Sequence, residues 1–251
     1  MSRIIVVDIG NTSTSIGVAH DTKIACVSRM YGGVRDRKVI RNVITRLARN
    51  HRIDDSVFCS VVPSVNRIWI SELKRSLGSE PLVVSHRLKL GVAISYPKPS
   101  TIGADRLANA CGAASRYEVP VIVADFGTAL TFDIISKDRK YIGGVIAPGL
   151  PLMTDYLAEK TALLPRIRLR GPYYRVGKST IGAMRIGAKV GYRGMVSEIV
   201  NYLIAGLGMK EVSLCATGGY ARWVLDDLDM PFTFDPDLTL YGLSRIYELN
   251  G

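Results

Sequence analysis

Histidine and cysteine, which supply most zinc sites and many catalytic nucleophiles, are scarce in this sequence. The 251 residues include three histidines and four cysteines, and no CxxC pair occurs. The histidines stand in separate polar stretches, so they form no catalytic or metal-binding pattern. The cysteines, which are Cys26, Cys59, Cys111 and Cys215, lie far apart. This spacing argues against a zinc site and predicts the reduced thiols of a cytoplasmic protein.

Long apolar runs are also missing. Runs such as Pro120–Ala124 are far shorter than the roughly 20 apolar residues that a membrane-spanning helix needs. The N-terminal residues Met1-Ser2-Arg3 lead directly into a strand-like run, without the basic and apolar regions of a signal peptide. We therefore expect no membrane partner.

Acidic residues are outnumbered by basic ones. The chain has 33 Lys and Arg against 22 Asp and Glu, which gives a net charge of +11. The basic residues are scattered, and no stacking aromatics or helix-turn-helix pattern accompany them. The positive electrostatic field of such a chain favours small anionic ligands, such as phosphates or carboxylates. Because the basic residues are scattered, we expect no nucleic-acid partner. A hydrophobic content of 47% is typical of a globular protein and excludes a disordered one.

The order of the predicted elements repeats once along the chain. In the first half, an apolar strand ends at Asp8-Ile9-Gly10-Asn11-Thr12 and two further strands follow. In the second half, a strand ends at Asp125-Phe126-Gly127-Thr128, and two strands again follow. Two hairpins can match by chance, but a common order over several elements favours an internal duplication. We predict two α/β domains, residues 1–117 and 118–251, that face each other across a cleft.

Each repeated turn places an aspartate, a glycine and a threonine at the end of a buried strand. Glycine lets backbone N–H groups approach an anion, and Thr12, Ser13 and Ser15 add hydroxyl donors. Asp8 cannot contact a phosphate favourably without a cation between them. It is typical of a site for hydrated Mg²⁺, which keeps several waters and takes one or two carboxylates. Two such turns predict a clamp on the phosphates of a nucleotide.

The motif Gly103-Ala104-Asp105-Arg106 stands at the predicted start of a helix over 104–117. An aspartate in a first helical turn can cap the helix and interact favourably with its dipole. Next to an arginine, it can instead act as a base beside an anion-holding group. The residues alone leave both interpretations open.

Three segments of the second half give weaker signals. Val176–Thr180 looks like the end of a P-loop, but Gly171 is one residue out of register, so we predict only an anion contact there. Residues 182–206 form the longest predicted helix, and each of its glycines costs up to about 1 kcal/mol. That cost favours close packing, in the core or at a subunit interface. Thr217-Gly218-Gly219 is typical of a backbone loop that passes close to a planar ligand such as adenosine.

Together these motifs resemble the type III pantothenate kinases of the acetate and sugar kinase/heat-shock-70/actin superfamily. Gly143–Gly149, Thr161–Pro165 and Gly242-Leu243 also match, and the resemblance covers Ile5–Asn250. One departure is Leu130, where many relatives carry a second threonine. The resemblance implies an α/β fold of two duplicated ribonuclease-H-like (actin-like ATPase) domains that flank a nucleotide cleft, in a homodimer.

The resemblance also implies a reaction and its residues. The reaction is ATP-dependent phosphorylation of pantothenate to 4'-phosphopantothenate, the first step of coenzyme A biosynthesis, with Mg²⁺ and a monovalent cation, K⁺ or NH₄⁺. Asp105 is the implied proton acceptor, and Asp125 and Asp8 are the implied metal ligands. The residues implied to bind ATP are Asp8, Gly10, Asn11, Thr12, Ser13, Thr14, Ser15, Thr128, Gly218 and Gly219. Those implied to bind pantothenate are Tyr96, Gly103, Ala104, Asp105, Arg106 and Thr180, and Thr180 could be supplied by the second copy.

Two alternatives remain open from the sequence. A kinase with the same fold could act on another small hydroxylated acid or on a sugar. A non-catalytic relative could bind nucleotide as an accessory or regulatory factor, although the presence of Asp8, Asp105 and Asp125 argues against it. The chemistry favours the kinase, because a primary hydroxyl is a poor nucleophile that needs a base, and because a basic site attracts the carboxylate of pantothenate.

Overall fold

The computed structural model describes residues 3–20, 23–171 and 174–251. The strands are β1 (Arg3–Ile9), β2 (Ser13–His20), β3 (Lys23–Tyr31), β4 (Asp55–Ser60), β5 (Leu82–Val83), β6 (Ala93–Ile94), β7 (Val121–Phe126), β8 (Ala129–Ile135), β9 (Lys140–Pro148), β10 (Ser213–Thr217) and β11 (Phe232–Phe234). The α-helices are α1 (Arg37–Asn50), α2 (Pro63–Leu77), α3 (Ala104–Arg116), α4 (Leu150–Lys160), α5 (Thr180–Ile186), α6 (Tyr192–Gly206), α7 (Ala221–Leu225) and α8 (Leu238–Asn250).

The first sheet has five strands in the order β3-β2-β1-β4-β5. Strands β1, β2 and β3 form an antiparallel meander, while β4 pairs with β1, and β5 with β4, in parallel. The central β1 has four consecutive buried residues, Ile4 to Val7, as expected for a strand that is covered on both faces. Ile40 of α1 and Trp69 of α2 belong to the core that this sheet shares with the two helices.

The second sheet has six strands in the order β11-β10-β7-β8-β9-β6. Read from β9 to β11, its order is third, second, first, fourth and fifth strand of the second half. The first sheet has the same order, and only the short edge strand β6 is additional. The duplication predicted from the two Asp-x-Gly turns is therefore present in the topology of the two sheets.

The chain forms two compact units, each built from more than one segment. Unit 1 comprises Met1–Val121, Asp133–Gly143 and Asp237–Gly251. Unit 2 comprises Ile122–Phe132 and Gly144–Pro236. The final helix α8 thus belongs to unit 1. The division of the sequence into repeats at residues 117 and 118 stays a prediction.

Helices α3 and α8 of unit 1 cross at two glycines. A Cβ built on Gly242 would overlap the carbonyl oxygen of Ala108 and lie 3.1 Å from the backbone nitrogen of Gly112. A Cβ on Gly112 would lie 2.8 Å from the carbonyl oxygen of Leu238. The two backbones therefore touch directly, which explains why the sequence has glycine inside both helices despite its poor helix propensity.

The long helix predicted over 182–206 is present as a helical run from Thr180 to Gly206 that consists of α5, a π-helical segment and α6. The π-helical segment is Gly187–Gly191. Across the described ranges of the chain, none of the helices has the length and apolar character needed to cross a membrane.

We expect Gly242→Ala to lower the free energy of unfolding by about 3 kcal/mol, the upper end of the usual cost of overpacking, because the added methyl group meets rigid backbone. Gly206→Ala is the matched control, since a Cβ at this exposed helical glycine meets nothing within 4 Å. It should change stability by less than about 1 kcal/mol. Chemical denaturation of both variants measures the difference, and equal stabilities would contradict the proposed contact.

Candidate active site

The turn between β1 and β2 carries the first Asp-x-Gly motif. Asp8 lies in β1 between Ser15 of β2 and Cys59 of β4. The backbone N–H of Gly10 donates to the carbonyl oxygen of Ser13 at 2.9 Å, which closes the turn. The side chains at the tip of the turn, Asn11, Thr12 and Ser13, are exposed. The turn therefore has exposed hydroxyl and amide groups, and their contact with a ligand stays a prediction.

Thr14 has a different place from its neighbours in this turn. Its side chain is buried, and its Oγ1 donates to the carbonyl oxygen of Gly32 at 3.1 Å. The N–H of Gly32 in turn donates to the carbonyl oxygen of Thr12 at 2.6 Å. The hydroxyl of Thr14 is thus used within the fold, to hold the turn against the residues that follow β3.

Two of the predicted carboxylates act on one buried thiol. The Sγ of Cys59 donates to Oδ1 of Asp8 at 3.1 Å. Burial, followed by the charges of Asp8 and Asp105, holds the pKa of this thiol well above its usual value of 9.0. Asp8 and Asp105, which are distant in sequence, therefore lie in the same part of unit 1. Cys59 itself is neutral and unsuited to act as a nucleophile.

Asp105 lies in the first turn of α3, after Gly103 at the N-cap position. Its Oδ1 accepts the backbone N–H of Arg106 at 2.8 Å. A Cβ on Gly103 would overlap that same oxygen, so glycine is what makes room for the carboxylate. Burial raises the pKa of Asp105 above the usual 3.8, and the backbone contact with Arg106 opposes this effect. The carboxylate thus contacts the start of the helix and also has the raised pKa that suits a base.

The side chain of Arg106 is tied to a buried carboxylate that the sequence analysis did not identify. Its Nε donates to Oδ1 of Asp133 in β8 at 2.7 Å. The hydroxyl of Tyr141 in β9 donates to the same oxygen at 2.9 Å. Burial raises the pKa of Asp133 to about 7, although Arg106 acts to lower it.

Tyr96, another predicted substrate residue, lies beside this group. Its ring packs edge-on against that of Tyr141, with centroids 6.2 Å apart, and 37% of the residue is exposed. A Cβ on Gly143 would lie 3.6 Å from the ring of Tyr96. Unit 1 therefore brings together the residues predicted to bind the acceptor: Tyr96, Gly103, Ala104, Asp105 and Arg106.

The second Asp-x-Gly turn lies in unit 2, where two other backbone segments approach it closely. A Cβ on Gly218, whose φ is +95°, would lie 2.6 Å from Oδ1 of Asp125. A Cβ on Gly149, at the start of α4, would overlap the carbonyl oxygen of Thr128. The loop after β10 and the start of α4 thus enclose Asp125 to Thr128. Gly219 has open space around it, as a loop that faces a planar ligand would require.

Thr180 begins α5 in unit 2. Ser179 is the N-cap, and its Oγ accepts the backbone N–H of Gly182 at 3.1 Å. Among the described residues, no strand directly precedes this turn, which agrees with the argument against a P-loop. Thr180 is exposed, and its role in binding pantothenate stays a prediction.

The carboxylates fit the cations that the resemblance implies. Within the described ranges, no group of three or more His, Cys, Asp or Glu residues is arranged as a metal site. Mg²⁺ does not need such a group, because it usually binds one or two carboxylates together with waters and substrate phosphates. Asp8 would supply one such carboxylate in unit 1. The carboxylate of Asp125, which Gly218 approaches closely, would be the oxygen donor for a monovalent cation in unit 2.

Asp133, Tyr141 and Cys59 are the residues that sequence reasoning missed. Asp133 stands between Phe132 and Ile134 in an apolar strand. A charged residue within such a strand must find a partner, and that is the signal that could have identified it. No comparable signal exists for Cys59, whose relevance comes only from the pairing of β4 with β1.

Comparison with known proteins identifies the family. The sequence profile described as type III pantothenate kinase matches residues 4–202. The chain belongs to the type III pantothenate kinase family. A type III pantothenate kinase of Akkermansia muciniphila is 45% identical over 217 residues, which are 86% of this chain and 88% of that relative. Another, of Methylacidiphilum infernorum, is 38% identical over 98% of this chain and 88% of that relative. The family predicted from the motifs is confirmed.

Solved structures confirm the fold class. A Campylobacter jejuni protein described as a Baf family transcriptional activator superposes with a TM-score of 0.63 at 17% identity, over 97% of each chain. A ROK family glucokinase of Streptomyces griseus superposes with a TM-score of 0.56 at 14% identity, over 99% of each chain. At such low identity these likenesses concern the fold alone. They agree with two duplicated ribonuclease-H-like domains.

We expect Gly218→Ala to lower the free energy of unfolding by about 2–4 kcal/mol, because the methyl group would enter the space of Asp125 in a backbone conformation that disfavours alanine. Gly219→Ala is the matched control, since a Cβ there meets nothing within 4 Å and the φ is ordinary. Denaturant unfolding should show a loss of less than about 1 kcal/mol for the control. A similar loss in both variants would contradict the enclosed arrangement of the second turn.

Proposed function

We propose that this protein transfers the γ-phosphoryl group of ATP to the primary hydroxyl of pantothenate, with Asp105 as the proton acceptor. Membership of the type III pantothenate kinase family supports the reaction. The structural observation that carries the proposal is the position of Asp105. Its carboxylate lies in the first turn of α3, beside a glycine that makes room for it, in the same part of unit 1 as Asp8.

The proposed step needs a base because the hydroxyl of pantothenate is a weak nucleophile. Asp105 accepts the hydroxyl proton as the oxygen bonds to the γ-phosphorus and the bond to the leaving ADP oxygen breaks. The products are 4'-phosphopantothenate and ADP, and the proton then passes from Asp105 to water. Burial raises the pKa of Asp105, so this carboxylate becomes protonated at a higher pH than an ordinary aspartate. We therefore expect the activity to be lost at a higher pH as the solution is acidified.

The phosphates of ATP are assigned to the two Asp-x-Gly turns. The exposed tip of the first turn, Asn11 to Ser13, supplies the proposed donors in unit 1, including the hydroxyls of Thr12 and Ser13, and Thr128 is the proposed contact in unit 2. Gly218 and Gly219 are assigned to the adenosine. Asp8 would hold Mg²⁺, which when bound would neutralise charge at the phosphates.

Asp125 is assigned to a monovalent cation, K⁺ or NH₄⁺. Its carboxylate is enclosed by the loop that contains Gly218 and by the turn that contains Gly127 and Thr128. Such a cation would neutralise the charge of the half-buried Asp125 and so stabilise the turn. A rate that is the same in potassium, ammonium and sodium salts would exclude this role.

The part of the helical run around Gly187, Gly191 and Gly194 is the proposed subunit interface of a homodimer. Three of its glycines, Gly187, Gly191 and Gly194, are exposed, and a Cβ on any of them meets no neighbouring atom within 4 Å. Packing within the described chain therefore does not explain these glycines. The three glycines are spaced four and three residues apart and so lie on one face of the helix, next to Val190, which is 65% exposed.

We expect Asp105→Asn to reduce kcat by about 10²–10⁴-fold, which is the usual contribution of a general base. Asparagine is nearly isosteric with aspartate but accepts no proton at neutral pH. Release of ADP that depends on pantothenate measures the rate. Thermal unfolding and ATP binding serve as controls and should stay close to wild type.

The capping interpretation of Asp105 predicts a different result. Asparagine caps a helix about as well as aspartate, so a purely structural role would leave both stability and rate nearly unchanged. If the variant keeps more than about a tenth of the wild-type rate, less than the smallest loss expected for a base, Asp105 is structural.

For the assembly, we expect a dimer at micromolar concentration in sedimentation equilibrium. Gly191→Leu should yield a folded monomer, because the added side chain prevents the close approach of a second helix. Gly206→Leu, at the far end of the same helical run, serves as the control and should remain dimeric. A wild-type protein that is monomeric and fully active would exclude the proposed interface.

A further inference from the structure

We propose that Asp133 is a positioning residue that orients Arg106 toward the carboxylate of pantothenate and so makes the enzyme prefer an acidic acceptor to a neutral one. This inference rests on the proposed function. It concerns a residue that does not itself touch the substrate and that acts through the guanidinium it holds.

Asp133 holds the guanidinium of Arg106 at its Nε. Oδ1 of Asp133 accepts Nε of Arg106 at 2.7 Å and the hydroxyl of Tyr141 at 2.9 Å. The guanidinium carbon lies 5.9 Å from the centroid of the Tyr141 ring. The side chain of Arg106 is 13% exposed and that of Asp133 is fully buried. An arginine held at Nε by a buried anion has a fixed guanidinium plane, and a planar guanidinium recognises carboxylates with defined geometry.

A purely structural role explains the ion pair of Arg106 and Asp133 poorly. Comparison with another buried carboxylate of unit 1, Glu72, shows why. Glu72 of α2 is 1% exposed, and both of its oxygens are satisfied, one by Arg37 at 2.9 Å and the other by Arg41 at 2.9 Å. Asp133 has one arginine, and its Oδ2 is buried without a hydrogen-bond partner in the described structure. Leaving a buried charge half-satisfied costs stability, and groups arranged in that way cluster at functional sites.

The neighbours of the pair point to the acceptor rather than to ATP. Asp105, the proposed base, directly precedes Arg106 in the chain, and Tyr96 packs on Tyr141. Asp133 therefore links two sets of residues assigned to pantothenate. Its contact with Arg106 leads to Asp105, and its contact with Tyr141 leads to Tyr96. The carboxylate is the only charged group of pantothenate, so a single oriented guanidinium could distinguish it from uncharged analogues.

The test compares two acceptors. Pantothenate is one, and the N-propyl amide of pantoic acid, which keeps the reactive hydroxyl and lacks the carboxylate, is the other. The acid preference is the ratio of kcat/KM for pantothenate to kcat/KM for the amide. Asp133→Asn should lower this ratio by about 10- to 100-fold, the effect of losing a charge-assisted hydrogen bond at 1.4 kcal/mol per decade. The loss should come from a higher KM for pantothenate, with kcat and the KM for ATP within about threefold of wild type.

Glu72→Gln is the matched control, because it neutralises a buried carboxylate paired with arginine that lies outside every proposed site. It should lower stability and leave the acid preference unchanged. If Asp133→Asn weakens the use of both acceptors equally, or changes neither, the positioning role is wrong. A wild-type protein that phosphorylates neither acceptor would instead refute the proposed function.

Tyr141→Phe keeps the test decisive if Asp133→Asn does not fold. It removes the second hydrogen bond to Oδ1 and keeps the aromatic ring in place. The acid preference should fall about threefold, in line with a neutral hydrogen bond of about 0.5–1 kcal/mol. An acid preference equal to that of wild type in folded Tyr141→Phe would overturn the proposal.

Discussion

The proposed chemistry depends on carboxylates that unit 1 holds partly out of contact with water. Asp8 accepts a hydrogen bond from the buried thiol of Cys59, and the charge of Asp105 helps to raise the pKa of the same thiol. Burial in turn raises the pKa of Asp105. A carboxylate in such surroundings holds a proton more readily than one in water, which suits a base that must take a proton from an alcohol. The glycine at 103 and the first turn of α3 make this placement possible, since the carboxylate occupies space that any side chain at residue 103 would fill.

Glycines also allow close packing in unit 2, where the backbone comes close to the carboxylate of Asp125. Gly218 approaches Asp125, and Gly149 approaches the carbonyl of Thr128. The second Asp-x-Gly turn is therefore closely packed on two sides by backbone. The two units thus present related turns with different surroundings: a thiol and a second carboxylate near Asp8, and closely packed backbone around Asp125.

Motifs with local causes could be predicted from the sequence. The Asp-x-Gly turns at Asp8 and Asp125 follow apolar strands, and their repetition predicted the common strand order of the two sheets. The start of α3 was predicted at Ala104, where the structure has it. Features that depend on distant pairing could not be predicted. Nothing local shows that Thr14 bonds to Gly32, that Cys59 lies beside Asp8, or that Tyr141 shares an oxygen of Asp133 with Arg106.

The central claim is phosphoryl transfer from ATP to pantothenate, and product analysis tests it most directly. Purified protein is incubated with ATP labelled in the γ-phosphoryl group, pantothenate, Mg²⁺ and K⁺, and the products are identified by mass spectrometry. We expect label in 4'-phosphopantothenate, in a one-to-one ratio with ADP. Label found only in inorganic phosphate, or no turnover of ATP beyond that seen without pantothenate, would contradict it.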